Sequence, residues 1–374
     1  MTLLPSIISF AILLSLASCR HPLPTVVPDN MMNRIYEKIK TPFKFGLIMV
    51  PDSNSCKMDC PTVFRKDNKW FMTYIVFNGL GYETWLAESE NLLAWTIMGK
   101  ILSVSDSGDW DSNQKAGYPS LISYEWGGDY AINAYDGKYW MSYFGGSSTG
   151  YETGLLSAGI AFTDKDPARA HEWQRLEKPV LSADDLDARW YDNSTIYKSA
   201  IYYDEKKLTG HPFVIYYNAR GDSINPDKGA ERISMAVSDD MVHWKRYGTE
   251  PCINQHKGIT GDAVIQRIDD VYVMFYFRAW WTDSYATAYN RFACSYDLVH
   301  WTDWKGPNLI EPSEGYDKLF AHKSCVVKHD GIVYHFYNAV DQRGNRGIAL
   351  ATSKDIGKSA IKFKSDEIPE IKYK

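Results

Sequence analysis

Ala236-Val237-Ser238-Asp239-Asp240-Met241-Val242-His243-Trp244 decides the fold: an apolar run stops at a serine, an acidic turn follows, and a tryptophan closes the phrase. The same grammar returns as Ala293-Cys294-Ser295-Tyr296-Asp297-Leu298-Val299-His300-Trp301, and earlier as Ala87-Glu88-Ser89-Glu90-Asn91-Leu92-Leu93-Ala94-Trp95. Ala161-Phe162-Thr163-Asp164, leading to Trp173, is a looser copy. Ala351-Thr352-Ser353-Lys354-Asp355 is a fifth that has lost its tryptophan. From one tryptophan to the next the spacings are 78, 71 and 57 residues, the irregular period of a repeat architecture whose units carry insertions.

Working outward, each copy is preceded by a strand–turn–strand pattern. Residues 63–74, 264–276 and 326–337 alternate apolar and polar around Asp67-Asn68, Asp269-Asp270 and Asp330-Gly331, and residues 135–143 do so around Asp136-Gly137. His211-Pro212-Phe213-Val214-Ile215-Tyr216-Tyr217 fills the place in the third unit. Such turns between alternating apolar residues are strong hairpin signals, and helical periodicity is nearly absent. The pattern predicts an all-β chain, a five-bladed β-propeller of four-stranded antiparallel blades. A two-sheet sandwich does not repeat one grammar five times.

Composition sets the outer bounds. The 374 residues carry 41 Lys+Arg against 46 Asp+Glu, 23% charged and 45% hydrophobic, which is ordinary globular usage. Without a basic stripe there is no electrostatic footprint for nucleic acid. The 13 Trp and 26 Tyr suit strand-rich cores and also clefts that stack sugar rings. Leu3 to Leu16 is a continuous apolar run, short for a membrane span but right for the core of a secretory signal, although no Lys or Arg precedes it. Leu16-Ala17-Ser18-Cys19 after it resembles the lipobox of bacterial lipoproteins. The expected organisation is therefore a signal peptide over 1–18, lipidation at Cys19, a tether and N-terminal segment over 19–43, and a propeller domain over 44–374. The protein would be periplasmic or anchored at the outer membrane, touching a membrane only through its lipid. The other cysteines, Cys56, Cys60, Cys252, Cys294 and Cys325, include no C-x-x-C pair, so neither a metal nor a cofactor is expected. Cys56 and Cys60 are placed to bridge in an oxidising compartment, while Cys60, Cys294 and Cys325 read equally well as small apolar residues in strands.

The phrase Ser238 to Trp244 and the opener at 59–74 resemble the five-bladed propeller glycosidases, the superfamily of glycoside hydrolase families 43, 32, 62, 117 and 130, over about residues 44–355. The resemblance implies a glycosidase with an oligosaccharide substrate. In a propeller the start of each innermost strand faces the central pocket, and aligning the units on their repeated tyrosines gives an inward ring of Asp59, Gly117/Tyr118, Asp192, Asp262 and His322. Carboxylates and an imidazole around one pocket are what glycoside hydrolysis requires. Asp59 fits the family's base. The family-43 pattern then wants an Asp and a Glu where this chain has Gly117 and Asp192. The family-117 arrangement is closer, with Asp262 and with His322 as an acid kept protonated by neighbouring carboxylates. Asn78, Asn218, Arg278 and Asn338, at the ends of second strands, are candidate sugar-binding residues, with Trp280-Trp281 as a stacking platform and Glu83 and Glu152 as reserve acids. The competing readings are a carbohydrate-binding propeller without catalysis and a phosphorylase.

Overall fold

The computed structural model describes residues 22–53, 55–221, 229–282 and 285–364; Cys19 and the apolar run before it lie outside them. A helix, α1 (Asp29–Ile39), leads into β1 (Phe43–Met49). The chain then lays down β2 (Lys57–Lys66), β3 (Lys69–Phe77), β4 (Tyr82–Ser89) and β5 (Thr96–Leu102), followed by β6 (Gln114–Pro119), β7 (Tyr139–Gly146), β8 (Ser157–Thr163) and β9 (Gln174–Arg175). Next come β10 (Thr195–Tyr203), β11 (Phe213–Arg220), β12 (Glu231–Ser238) and β13 (Trp244–Arg246), then β14 (Ile259–Ile268), β15 (Val271–Thr282), β16 (Tyr285–Ser295) and β17 (Thr302–Asp303). The last strands are β18 (Phe320–His329), β19 (Ile332–Val340) and β20 (Arg346–Thr352).

Antiparallel pairing links β2 to β5, β6 to β9, β10 to β13 and β14 to β17 each as a consecutive run. The final run, β18-β19-β20, is completed from the other end of the described chain by β1, with Leu47 opposite Ala349. Each run packs on its successor, and β18 to β20 return against β2, where the Cys325 thiol accepts from the Val63 N–H at 3.3 Å.

The repeated phrase is now physically legible. Ser238 Oγ accepts from the N–H groups of Asp240 (3.2 Å) and Met241 (3.0 Å), Met241 takes φ 68°, and Trp244 Nε1 donates back to the Met241 carbonyl at 3.0 Å. Ser89 with Leu92 and Ser295 with Leu298 build the same turn. His243 and His300 each pair with the turn's own aspartate at 2.7 Å, so both belong to the turn.

The core lies between consecutive sheets. The repeated tyrosines Tyr74, Tyr143, Tyr217, Tyr276 and Tyr337 are all buried there, which accounts for much of the aromatic surplus. One helix departs from the expected tether. In α1, Met32, Ile35 and Ile39 share a face and pack on Val271, Val273 and Trp304, a 3–4 spacing that is readable in the sequence. Cys56 and Cys60 do not bridge; both are free thiols.

Candidate active site

Four innermost strands share one irregularity. Pairing breaks between Asp59 and Thr62 in β2, Ile196 and Ser199 in β10, Gly261 and Val264 in β14, and His322 and Cys325 in β18. A bulge of this kind re-aims a side chain out of the ladder. Cys60, Asp262 and Lys323 sit in these breaks at φ 51°, 59° and 62°, a region that costs a residue with a Cβ roughly 1–3 kcal/mol. Together with Lys198 from the β10 break, their side chains converge on one cavity of about 240 Å³.

Ionic contacts fix the floor of that cavity. The buried Asp59 carboxylate takes Lys323 Nζ and Arg346 Nη1, each at 2.9 Å, on Oδ2, while Oδ1 accepts from the Cys60 N–H at 3.0 Å. Burial pushes Asp59 up, but Lys323 and Arg346 outweigh it and hold the carboxyl well below the usual range. Asp262 is held on both sides by the Asn218 amide, Nδ2 donating to Oδ1 at 2.9 Å and the Asp262 N–H donating to the amide oxygen at 2.7 Å. Only a glycine fits before it, because a Cβ on Gly261 would lie 2.2 Å from Asn218 Nδ2. Lys198 is buried, stands 3.7 Å from Asp262 Oδ2 and lies 4.6 Å over the Tyr118 ring, and its ammonium has no hydrogen-bond partner among the described residues.

Two glutamates complete the cavity wall. Glu231 opens β12, and burial, reinforced by the charge of Glu152, pushes its carboxyl up to about 8 against the pull of Arg220. Glu152 is raised as well, chiefly by burial, with Lys323 and Arg346 opposing, and it accepts from Tyr82 Oη at 3.4 Å. One carboxyl that keeps its proton near neutrality beside a second carboxyl is the acid–base inventory for breaking an acetal bond.

The structure brings together Tyr118, Asn218, Asp262, Trp281 and His322 along this cavity, with Asp59 directly beneath Lys323 and Arg346. Trp281 is about half exposed at its mouth. His322 does not meet the expectation of a protonated acid: burial and then Lys323 lower it well below its ordinary value, more than Asp59 raises it, so the imidazole is neutral. Asp192 lies outside the lining. It precedes β10, where Arg246 Nε at 2.7 Å and Tyr217 Oη at 2.8 Å occupy its carboxylate, and Lys198 takes the inward place instead. Asn78 caps a turn through Leu80 and Gly81, and Asn338 binds the carbonyls of Met58 and Gly347 as a buried strut. Arg278 and Trp280 are also off the cavity; Trp280 carries the Lys257 ammonium 4.0 Å above its ring. Glu83 is engaged by Lys100 at 3.0 Å, whereas the other reserve acid, Glu152, does reach the cavity. Glu231 escapes sequence reading altogether. Its one signal is a lone acid leading directly into the apolar strand Ile233 to Ser238.

No protein-family profile and no curated protein sequence matches the chain. Solved structures do. A structure of BT0996 in complex with RGII is 52% identical, with a TM-score of 0.87 over 90% of this chain and 99% of that one. Another, described as a glycoside hydrolase, is 51% identical at a TM-score of 0.86 over the same shares. The family 117 glycoside hydrolase Zg3597 of the marine bacterium Zobellia galactanivorans shares the fold alone, at 12% identity and a TM-score of 0.59 over 84% of this chain and 91% of that one.

Proposed function

The chain belongs to the glycoside hydrolases of the propeller superfamily that includes families 43, 117 and 130, and on that premise we propose that it removes a terminal sugar from an oligosaccharide of the RGII kind. The likeness to the BT0996 complex suggests the substrate, and the small volume of the cavity favours exo action. The five antiparallel runs are read as the blades of a five-bladed propeller, with the cavity at one mouth of its channel.

The observation that carries the mechanism is the pair Glu231 and Glu152 on the cavity wall. Glu231, titrating near pH 8, donates its proton to the leaving glycosidic oxygen. Glu152, in its ionised form, supplies the second carboxylate, which attacks the anomeric carbon or activates water there. Asp59 and Asp262 have their oxygens occupied by protein donors, so they orient: Asp59 holds Lys323 and Arg346, and Asp262 holds Asn218. Lys198, without a hydrogen-bond partner of its own, donates to a sugar hydroxyl, and Trp281 stacks on the ring. Export and a lipid anchor at Cys19 would place this chemistry outside the cytoplasm.

The test is incubation of purified protein with an oligosaccharide released from RGII and analysis of the products by chromatography. Release of a monosaccharide is expected. Intact recovery of that oligosaccharide alongside cleavage of some other glycan would overturn the substrate while leaving the reaction class standing.

A further inference from the structure

The strands β10 and β14 that carry Lys198 and Asp262 into the cavity run on to a second pocket at their far ends. There Tyr202 and Tyr203 of β10 and Arg267 of β14 meet Tyr124, Tyr135, Phe213 and Tyr272 around a groove of about 400 Å³. Asp262 and Arg267 share one strand, so at about 3.3 Å per residue the two pockets lie roughly 15 Å apart, at opposite ends of it.

The groove's chemistry is that of a binder without a catalyst. Tyrosines dominate it, each with an apolar face and a hydroxyl. Their rings are braced by one another: Tyr135 meets Phe213 edge-on at 4.7 Å, Tyr203 lies 5.7 Å from Phe213, and Tyr202 meets Tyr272 edge-on at 5.8 Å. Tyr203 is nonetheless half exposed, leaving a free aromatic face at the rim. The polar wall is Arg267, paired with Glu125 at 3.6 Å, together with the exposed Glu205 and Lys206. The groove's acids are exposed, and neither a histidine nor a cysteine lines it, so it lacks the buried proton donor of the cavity. Braced aromatic faces beside hydroxyls and charges, in a volume within the usual range for ligand pockets, suit a sugar ring with its apolar face and its fringe of hydroxyls.

We propose that this groove is a second glycan-binding site, which holds another stretch of the polysaccharide whose ends the cavity trims. The inference rests on the RGII reading above. The two are separated by using two probes, intact RGII for binding and a short oligosaccharide released from it for hydrolysis.

The experiment runs the Glu231→Gln protein and the Glu231→Gln/Tyr203→Ala protein through native gels containing RGII, and assays the Tyr203→Ala single variant on the short oligosaccharide. Loss of one stacking ring is expected to weaken retention by RGII about tenfold, with hydrolysis of the oligosaccharide unchanged within twofold. Retention that is absent, or that ignores Tyr203, overturns the groove whether or not the oligosaccharide is cut. An equal loss of oligosaccharide hydrolysis also overturns it as a separate site. Tyr203-dependent retention without any cutting of the oligosaccharide supports the groove and refutes the substrate reading.

Discussion

Replacing Glu231 by Gln separates the proposed acid from every other carboxyl. The cavity raises this group from an ordinary 4.5 to about 8. Between those values the folded chain keeps a proton that the unfolded chain has released, so stability falls as pH rises through the window, by up to about 1.4 kcal/mol per pH unit. Across the whole window that is at most roughly 5 kcal/mol, held in the site as the cost of keeping a proton donor near neutrality. The Gln variant has no proton to lose. Its Tm should therefore decline less steeply than wild type between pH 4.5 and 8 and exceed it above pH 8. Its turnover should fall about 10²–10⁴-fold, the usual worth of general acid catalysis. In wild type the alkaline limb of kcat/KM should bend near pH 8 and drop about tenfold per unit beyond it. Parallel Tm and kcat/KM measurements from pH 4.5 to 9.5 check all three. A Gln variant within threefold of wild-type turnover, or two Tm curves of equal slope, would refute the assignment.

Lys323→Met leaves the buried Asp59 with Arg346 as its one remaining salt-bridge partner, and breaking such a pair costs about 3–5 kcal/mol; the urea midpoint should drop accordingly and recover in part in the Asp59→Asn/Lys323→Met double variant. Lys198→Met removes an ammonium that makes no hydrogen bond within the described protein, so Tm should hold while KM for the RGII oligosaccharide rises roughly tenfold, as for the loss of one or two hydrogen bonds; an unchanged KM removes Lys198 from substrate binding. Cys19→Ala should move the protein from the membrane fraction to the soluble one, and equal fractionation of variant and wild type would end the lipid-anchor proposal.

The sheets are legible in the sequence because their signal is local. Ser238, Met241 and Trp244 sit within seven residues and close their own hydrogen bonds, so every copy of the phrase marks the same turn. The cavity is a different kind of object. It is assembled by bulges, and Cys60, Asp262 and Lys323 occupy left-handed backbone without being the Gly or Asn that would advertise it. Counting back from the repeated tyrosines reaches Asp59, Asp262 and His322, because those units have equal spacing. It misses the third unit, where it points to Asp192 and Lys198 stands instead. Glu231 and Glu152 come from loops and strand starts whose insertions differ in every unit, and nothing near them in sequence reports the lowered solvation that sets their proton affinity.

The pairing of β1 with β20 has a temporal meaning. Leu47 meets Ala349 across some 300 residues, and a loop of that length costs about 3 kcal/mol more entropy to close than a ten-residue hairpin. A strand made near the start of synthesis must wait, unpaired, for one made near the end. Until that latch shuts, β18 and β2 have no reason to stay side by side, and the Asp59–Lys323–Arg346 cluster, drawn from the first and last sheets, has not been assembled. The enzyme's charge centre is thus also its completion signal: a chain still lacking β20 holds neither Arg346 nor a working floor beneath its cavity.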